Sequence, residues 1–285
     1  MMKEKNKEEL AVAAAAGDQT ALEALLCGVQ DLVFNLALRM LGTVPDAEDA
    51  AQEILLKVMT HLSSFRGESK FDTWVFRIAV NHLQDYRKGL FAGRPLSFEA
   101  YGEDITSGRE RDVPDLSAGV DRKLLEEELK LSCTNVMLQC LDAQTRCIYV
   151  LGTMFRLDSR AAAEILDITP EAYRQRLSRA RAKMARFLGQ YCGLSGTGAC
   201  RCKRRVDYAI ASRRIDPVDL QYRALTPCGY ETLAAFTAAM EQLDGLSQIF
   251  AGLPAYRAPG ETSAWVRQLL ASPPFAAVKR GGEVL

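Results

Sequence analysis

Arg174, Gln175 and Ser178 are spaced to share one face of a helix. Arginine forks pair with guanine edges, glutamine with adenine, and serine with either, so such a face can read bases in a major groove. Arg176, Arg179, Arg181, Lys183 and Arg186 flank it with cations suited to phosphates. Farther on, Cys192, Cys200, Cys202 and Cys228 follow the spacing C-x7-C-x-C-x25-C, four soft ligands that would suit zinc or Cu(I). Toward the N-terminus, Asp49, Gln52 and Glu53 fall at i, i+3 and i+4, a polar face that a bundle core does not need. Trp74, Arg77, Asn81, Tyr86, Arg87 and Lys88 mix rings with cations, a combination suited to a single nucleic-acid strand.

These residues need helices to place them, and the hydrophobic period supplies helices nearly throughout. Leu22, Leu25, Leu26, Val29, Leu32, Val33, Leu36, Met40 and Leu41 recur at three and four, the period of one buried face. Pro45 and Asp46 restart a helix whose apolar side runs through Ala51, Ile54, Leu55, Val58, Met59 and Leu62. A third helix is expected from about Phe71 to Lys88, with Phe71 and Trp74 read as core residues rather than stacking platforms. Residues 89–120 lose the period and collect Gly, Pro, Ser and charge, which reads as a linker. Helices resume at 121–132, 134–141, 143–156, 159–166 and 170–188. Ser159–Leu166, the turn Asp167-Ile168-Thr169 and a helix opened by Pro170 make a helix-turn-helix, with Thr169 as N-cap and Tyr173, Leu177, Ala180 and Met184 facing the core.

The chain has 285 residues and equal numbers of basic and acidic side chains, 36 each. That balance conceals a segregation: residues 1–112 carry net −5, whereas residues 159–223 carry net +8. A local basic block is an electrostatic footprint for phosphate whatever the total says. No apolar run approaches the roughly 18 residues of a spanning helix, and the charged N-terminal residues lead into no signal-peptide core, so no membrane partner and a cytoplasmic address are expected. The zinc-protease motif H-E-x-x-H, the phosphate-binding P-loop and the dinucleotide fingerprint are absent, and no enzyme activity is expected.

The run LDSRAAAEILDITPEAYRQRLSRARAKM resembles region 4 of the extracytoplasmic-function (ECF) sigma factors, with Asp167 where the family usually has Gly. The segment PDAEDAAQEILLKVMTHLSSFRGESKFDTWVFRIAVNHLQDYRK resembles sigma region 2. The resemblance spans roughly residues 15–190 and implies an all-α protein: two small helical domains joined by a flexible linker, plus a helical C-terminal extension. The corresponding boundaries are 1–90 for region 2, 91–120 for the linker, 121–190 for region 4 and 191–285 for the extension. It implies that Asp46, Glu48, Asp49, Gln52 and Glu53 dock on core RNA polymerase. Arg66, Gly67, Glu68, Ser69, Lys70, Arg77, Asn81, Arg87 and Lys88 would hold the melted −10 element, one base being flipped into the loop. Ser159, Thr169, Glu171, Arg174, Gln175, Arg176, Ser178, Arg179 and Arg181 would meet −35 duplex DNA. The linker would thread toward the polymerase active site and RNA exit channel.

The extension resembles the cysteine-bearing tail of one ECF branch. Its thiols leave three readings open: structural cysteines without a ligand, a zinc or other soft-metal site, or a redox switch helped by adjacent cations. Cys27, Cys133, Cys140 and Cys147 read as buried small hydrophobes. An inhibitory partner would be a separate anti-sigma factor or the extension itself. The rival functions are a helix-turn-helix regulator acting without core polymerase and a metal- or redox-sensing module.

Overall fold

A computed structural model describes residues 7–86, 96–195, 198–226 and 253–272. Among the described residues there are helices and no strands. The N-terminal bundle comprises α1 (Lys7–Ala15), α2 (Gln19–Leu41), α3 (Val44–Thr60) and α4 (Phe71–Gln84). Asp18 caps α2 by accepting from the Ala21 amide at 3.0 Å, and Gly42 ends it in the left-handed conformation (φ 88°). Thr43 and Asp46 cap α3 reciprocally: the Asp46 amide donates to Thr43 Oγ1 at 3.3 Å, and that hydroxyl donates to Asp46 Oδ2 at 2.7 Å. The α4 helix ends at Gln84, short of the expected Lys88, and residues 87–95 lie outside the described residues.

Contrary to the sequence expectation, α2 is long and apolar enough, by length and composition, to cross a membrane. Its apolar residues have a nearer destination. Leu25, Val29, Val33, Phe34, Leu36 and Leu38 are buried against α1, α3 and α4. Each large side chain buried this way contributes about 1.5–3 kcal/mol.

The stretch read as a flexible linker is partly folded. Ser97 caps α5 (Phe98–Thr106), accepting from the Ala100 amide at 3.1 Å, and a 3-10 turn follows at Arg109–Asp112. Phe98, Tyr101 and Ile105 recur at helical spacing and are buried, which explains why this part orders. The expected pair 121–132 and 134–141 is one helix, α6 (Arg122–Leu138). Thr134 and Asn135 do not break it because their side chains bond back to the Lys130 and Leu131 carbonyls. The expected 143–156 helix is α7 (Ala143–Tyr149) followed by a π-helical turn, Val150–Met154. Next come α8 (Ser159–Leu166) and α9 (Pro170–Tyr191).

The extension contributes α10 (Cys202–Ala211), α11 (Gln221–Ala224) and α12 (Gly260–Leu270). One continuous core runs from Leu25, Phe34 and Phe71 of the first bundle to Leu131, Tyr149 and Leu188 of the second, and takes in Tyr222, Tyr256 and Val266 of the extension. A second cluster joins Leu125 and Leu129 of α6 to Val206 and Ala209 of α10.

Buried polar groups tie these parts together. Arg146 sends its guanidinium to the carbonyls of Met40, Leu138 and Leu141 at 2.5, 3.0 and 2.8 Å, a cation gathering two helix C-termini. Burial lowers its pKa to about 10. Arg39, also buried, donates to Asn135 Oδ1 at 2.9 Å and to the Pro254 carbonyl at 2.5 Å. Asn35 exchanges two bonds with the Tyr256 backbone, accepting at 2.7 Å and donating at 2.5 Å, and Asp31 accepts from the Ala258 amide at 2.7 Å. The segment 253–272 is thereby fastened along α2.

Candidate nucleic-acid interface

The helix-turn-helix forms as its residue types dictate. Asp158 caps α8, its carboxylate accepting from the Arg160 and Ala161 amides at 2.9 and 3.1 Å. Asp167 ends the helix with φ 52° and ψ 48°, the left-handed conformation that Asp tolerates better than most residues. Thr169 Oγ1 accepts from the Ala172 amide at 3.2 Å, and Pro170 opens α9. Tyr173, Ala180 and Met184 are buried, and Tyr173 packs with Ile148, Ala162 and Ala163. Burial raises the Tyr173 hydroxyl to about 12, so it stays protonated.

On the opposite face Arg174, Gln175, Arg176, Ser178 and Arg179 are all exposed. Arg174 is held in place: its Nη2 lies 2.7 Å from Glu171 Oε1 and its Nη1 donates to Ser159 Oγ at 3.2 Å. Three expected −35 residues thus meet in one polar chain, while Thr169 spends its hydroxyl on the cap. Arg181 bonds inward, donating to Thr153 Oγ1 at 3.1 Å and to the Gly152 carbonyl at 3.0 Å. It braces the π-turn against α9, a role its place in a basic run did not reveal.

In the first bundle, Arg66, Gly67, Glu68 and Lys70 are exposed and Ser69 is half-buried, in the loop before α4. Phe65 anchors that loop, its ring 5.2 Å from Phe71 and 5.5 Å from Trp74. Phe71 is fully buried and Trp74 half-buried, in keeping with their reading as core residues. Asn81 is exposed on α4. Arg77 instead reaches the other domain, bonding the Glu164 carboxylate at 3.1 Å and its carbonyl at 3.2 Å. Arg87 and Lys88 lie outside the described residues.

On α3, Asp49 is exposed, Glu48 and Gln52 are half-buried, and Glu53 Oε2 lies 3.3 Å from His82 Nε2. Asp46 is occupied in the cap. Burial, with Glu261 of α12 and Asp49 adding negative charge, pushes the Glu48 carboxyl above its ordinary range. The extension therefore approaches this face.

Cys192, Cys200 and Cys202 are half-buried, and Cys228 lies outside the described residues. At Cys200 and Cys202 the nearby cations are outweighed. Burial dominates, pushing Cys200 up to about 12 and Cys202 up as well, while Lys203 and Arg204 face solvent. Cys133 joins the same neighbourhood from α6, its Sγ 2.9 Å from the Tyr101 hydroxyl. Among the described residues no three potential ligands are placed to hold a metal ion. Cys27, Cys140 and Cys147 are half-buried or buried, with pKa values raised chiefly by desolvation.

Sequence comparison matches residues 28–90 to Sigma-70 region 2 and residues 132–184 to Sigma-70, region 4. The chain is 25% identical over 189 residues to the RNA polymerase sigma-H factor of Pseudomonas aeruginosa, covering 66% of this chain and 96% of that protein. It is 30% identical over 171 residues to the ECF RNA polymerase sigma-E factor of Haemophilus influenzae, covering 58% of this chain and 86% of the relative. A solved structure, CnrH in complex with the cytosolic domain of CnrY, superposes with a TM-score of 0.46 at 24% identity, over 64% of this chain and 96% of that one. With both regions present in sigma order, the chain belongs to the ECF sigma factors of the sigma-70 family.

Proposed function

We propose that this sigma factor, which acts with core RNA polymerase in the cytoplasm, reads −35 duplex DNA through α9 and captures −10 DNA through the 65–70 loop and α4. The observation that carries this reading is the division of α9: Tyr173, Ala180 and Met184 are buried, while Arg174, Gln175, Arg176, Ser178 and Arg179 are exposed together. Asn81 and the loop cations supply the −10 contacts, and Asp49, Gln52 and Glu53 supply the core-polymerase face. The polymerase, not this chain, performs the chemistry.

The two DNA sites cannot work simultaneously in the conformation described. Elements about 25 base pairs apart are separated by roughly 85 Å along B-DNA, yet α4 and α8 are in direct contact through Arg77 and Glu164. The domains must part on the promoter. The test is run-off transcription with purified core polymerase on a template selected from a randomised library. Footprints at both elements support the assignment; duplex binding without core-dependent initiation makes the chain an ordinary helix-turn-helix regulator.

A soft metal at the extension is a second reading, resting on the gathering of Cys192, Cys200 and Cys202 in one neighbourhood. Because burial favours the neutral thiols of Cys200 and Cys202, and no three ligands among the described residues converge, loading would release protons and draw the sulfurs together. Metal analysis of anaerobically purified protein, compared with Cys200→Ser/Cys202→Ser, decides it: equal metal content in both sinks this reading.

A further inference from the structure

The loop assigned to the −10 element is fixed at both ends. It leaves the 3-10 turn Leu62–Ser64 at Phe65, whose amide donates to the Leu62 carbonyl at 3.0 Å and whose ring meets Phe71 edge-on at 5.2 Å. It turns at Gly67, which takes a left-handed φ of 71° with open space around it. It ends at Lys70, the residue that caps α4, whose carbonyl accepts from the Trp74 amide at 3.1 Å. The first amides of a helix need an acceptor, and Lys70 carries a cation where Ser, Thr, Asn or Asp would supply one.

An acceptor arrives from 63 residues upstream: Glu8 Oε1 of α1 takes the Phe71 amide at 3.1 Å. Beside it, Lys7 Nζ lies 2.7 Å from Asp72 Oδ1. The mount is firm, because Ala11 and Ala14 are buried and α1 packs on α2, on α4 and on the Leu62–Ser64 turn. The two contacts differ in kind. Lys7 and Asp72 are 35% and 42% exposed, so water screens their pair. The Glu8 bond is charge-assisted and aimed at the backbone, so it sets the path of the chain where the loop becomes helix. Glu8 lies outside the segment 28–90 that matches sigma region 2. A carboxylate this close to a DNA site repels phosphate, which gives its presence there a structural cause rather than an electrostatic one. We propose that Glu8 is a positioning residue for −10 capture: by holding the Phe71 amide it keeps the 66–70 loop ordered before the base arrives, leaving less ordering for binding to do. This rests on the −10 assignment above.

The test uses the full-length chain with core polymerase on the template selected above, with a fluorescent adenine analogue placed at successive positions of the −10 non-template strand. Emission rises where a base leaves the stack. Glu8→Ala is expected to reduce capture by roughly two- to fivefold, the factor a lost N-cap is worth, while the −35 footprint is unchanged. Removing a negative charge near DNA by itself strengthens binding, so the expected loss runs against the electrostatic trend. Glu8→Gln, whose side-chain oxygen still accepts, should recover most of the capture. Hydrogen exchange at Phe71 should quicken in Glu8→Ala and not in Glu8→Gln. Should Glu8→Ala fail to fold, Glu8→Met, which keeps the stem without the oxygens, is read in the same way. Unchanged capture in Glu8→Ala, loss of −10 and −35 binding in proportion, or equal loss in Glu8→Ala and Glu8→Gln overturns the positioning role while leaving the −10 site standing. Absence of a flipped base in the wild type, with core polymerase shown active, overturns the loop assignment and the proposal with it.

Discussion

Arg77 of α4 and Glu164 of α8 form an ion pair, Nη2 to Oε1 at 3.1 Å, bringing into contact two helices proposed to serve different promoter elements. Both side chains are nearly half exposed, so water screens the pair. Glu164→Ala should lower stability by less than about 1 kcal/mol, measurable by denaturant unfolding. A double-mutant cycle with Arg77→Ala that shows coupling well above that value would mean the pair itself, rather than apolar packing such as Phe76 on Phe155, closes the domains.

Gly152 of the π-turn packs directly against α9. A Cβ there would stand 2.5 Å from Leu177 Cδ2 and from the Tyr173 hydroxyl. Gly152→Ala is expected to destabilise the protein by roughly 1–3 kcal/mol through overpacking and to weaken −35 binding by displacing α9. Thermal unfolding and gel-shift titration read the two effects. Unchanged values in both would show that the neighbours yield freely.

The cations of α9 divide by the direction they face. Arg176→Ala and Arg179→Ala should each reduce the slope of log affinity against log salt by about 0.9, with little effect on stability. Arg174→Ala should relax preference at one or two base pairs instead. Arg181→Ala should lower stability more than it changes the slope, since its guanidinium bonds Gly152 and Thr153. Salt-dependent binding isotherms for the four variants separate these roles; identical slopes in all of them would refute the division.

Asp207 offers a pH signature. Its hydrogen bond from Arg122, aided by the Leu116 amide, holds the carboxyl below the ordinary Asp range despite desolvation. A depressed folded value means the stabilisation is complete above the unfolded Asp pKa of about 3.9 and is lost as pH falls through the folded value. Asp207→Asn should therefore cost roughly 1–2 kcal/mol near neutrality and progressively less toward pH 3. Unfolding curves at several pH values check this, and a cost independent of pH would contradict it.

The helix-turn-helix was legible because its signals are local: the Thr169 cap, Pro170, the left-handed Asp167 and the period of α9 all lie within a few residues of what they determine. The folded part of the linker was obscured because Gly102, Gly108 and a high density of charge mask the stripe of Phe98, Tyr101 and Ile105, and because the groups that neutralise Asp104 and Glu110 arrive from a hundred residues away. Arg39 carried a signal of its own, a cation inside the apolar stripe of α2, but its partners Asn135 and Pro254 are set by tertiary packing alone. The same holds for Arg181, whose inward turn depends on a π-helical step that periodicity cannot reveal.

The paired bonds between Asn35 and Tyr256 join α2 to a segment more than two hundred residues downstream in the same polypeptide. Dilution does not part them, and overproduction does not outrun them, because partners on one chain meet at an effective concentration independent of how much protein is present. A separate partner covering α2 would have to be made in proportion to its target; this segment is supplied once per molecule, at the ribosome.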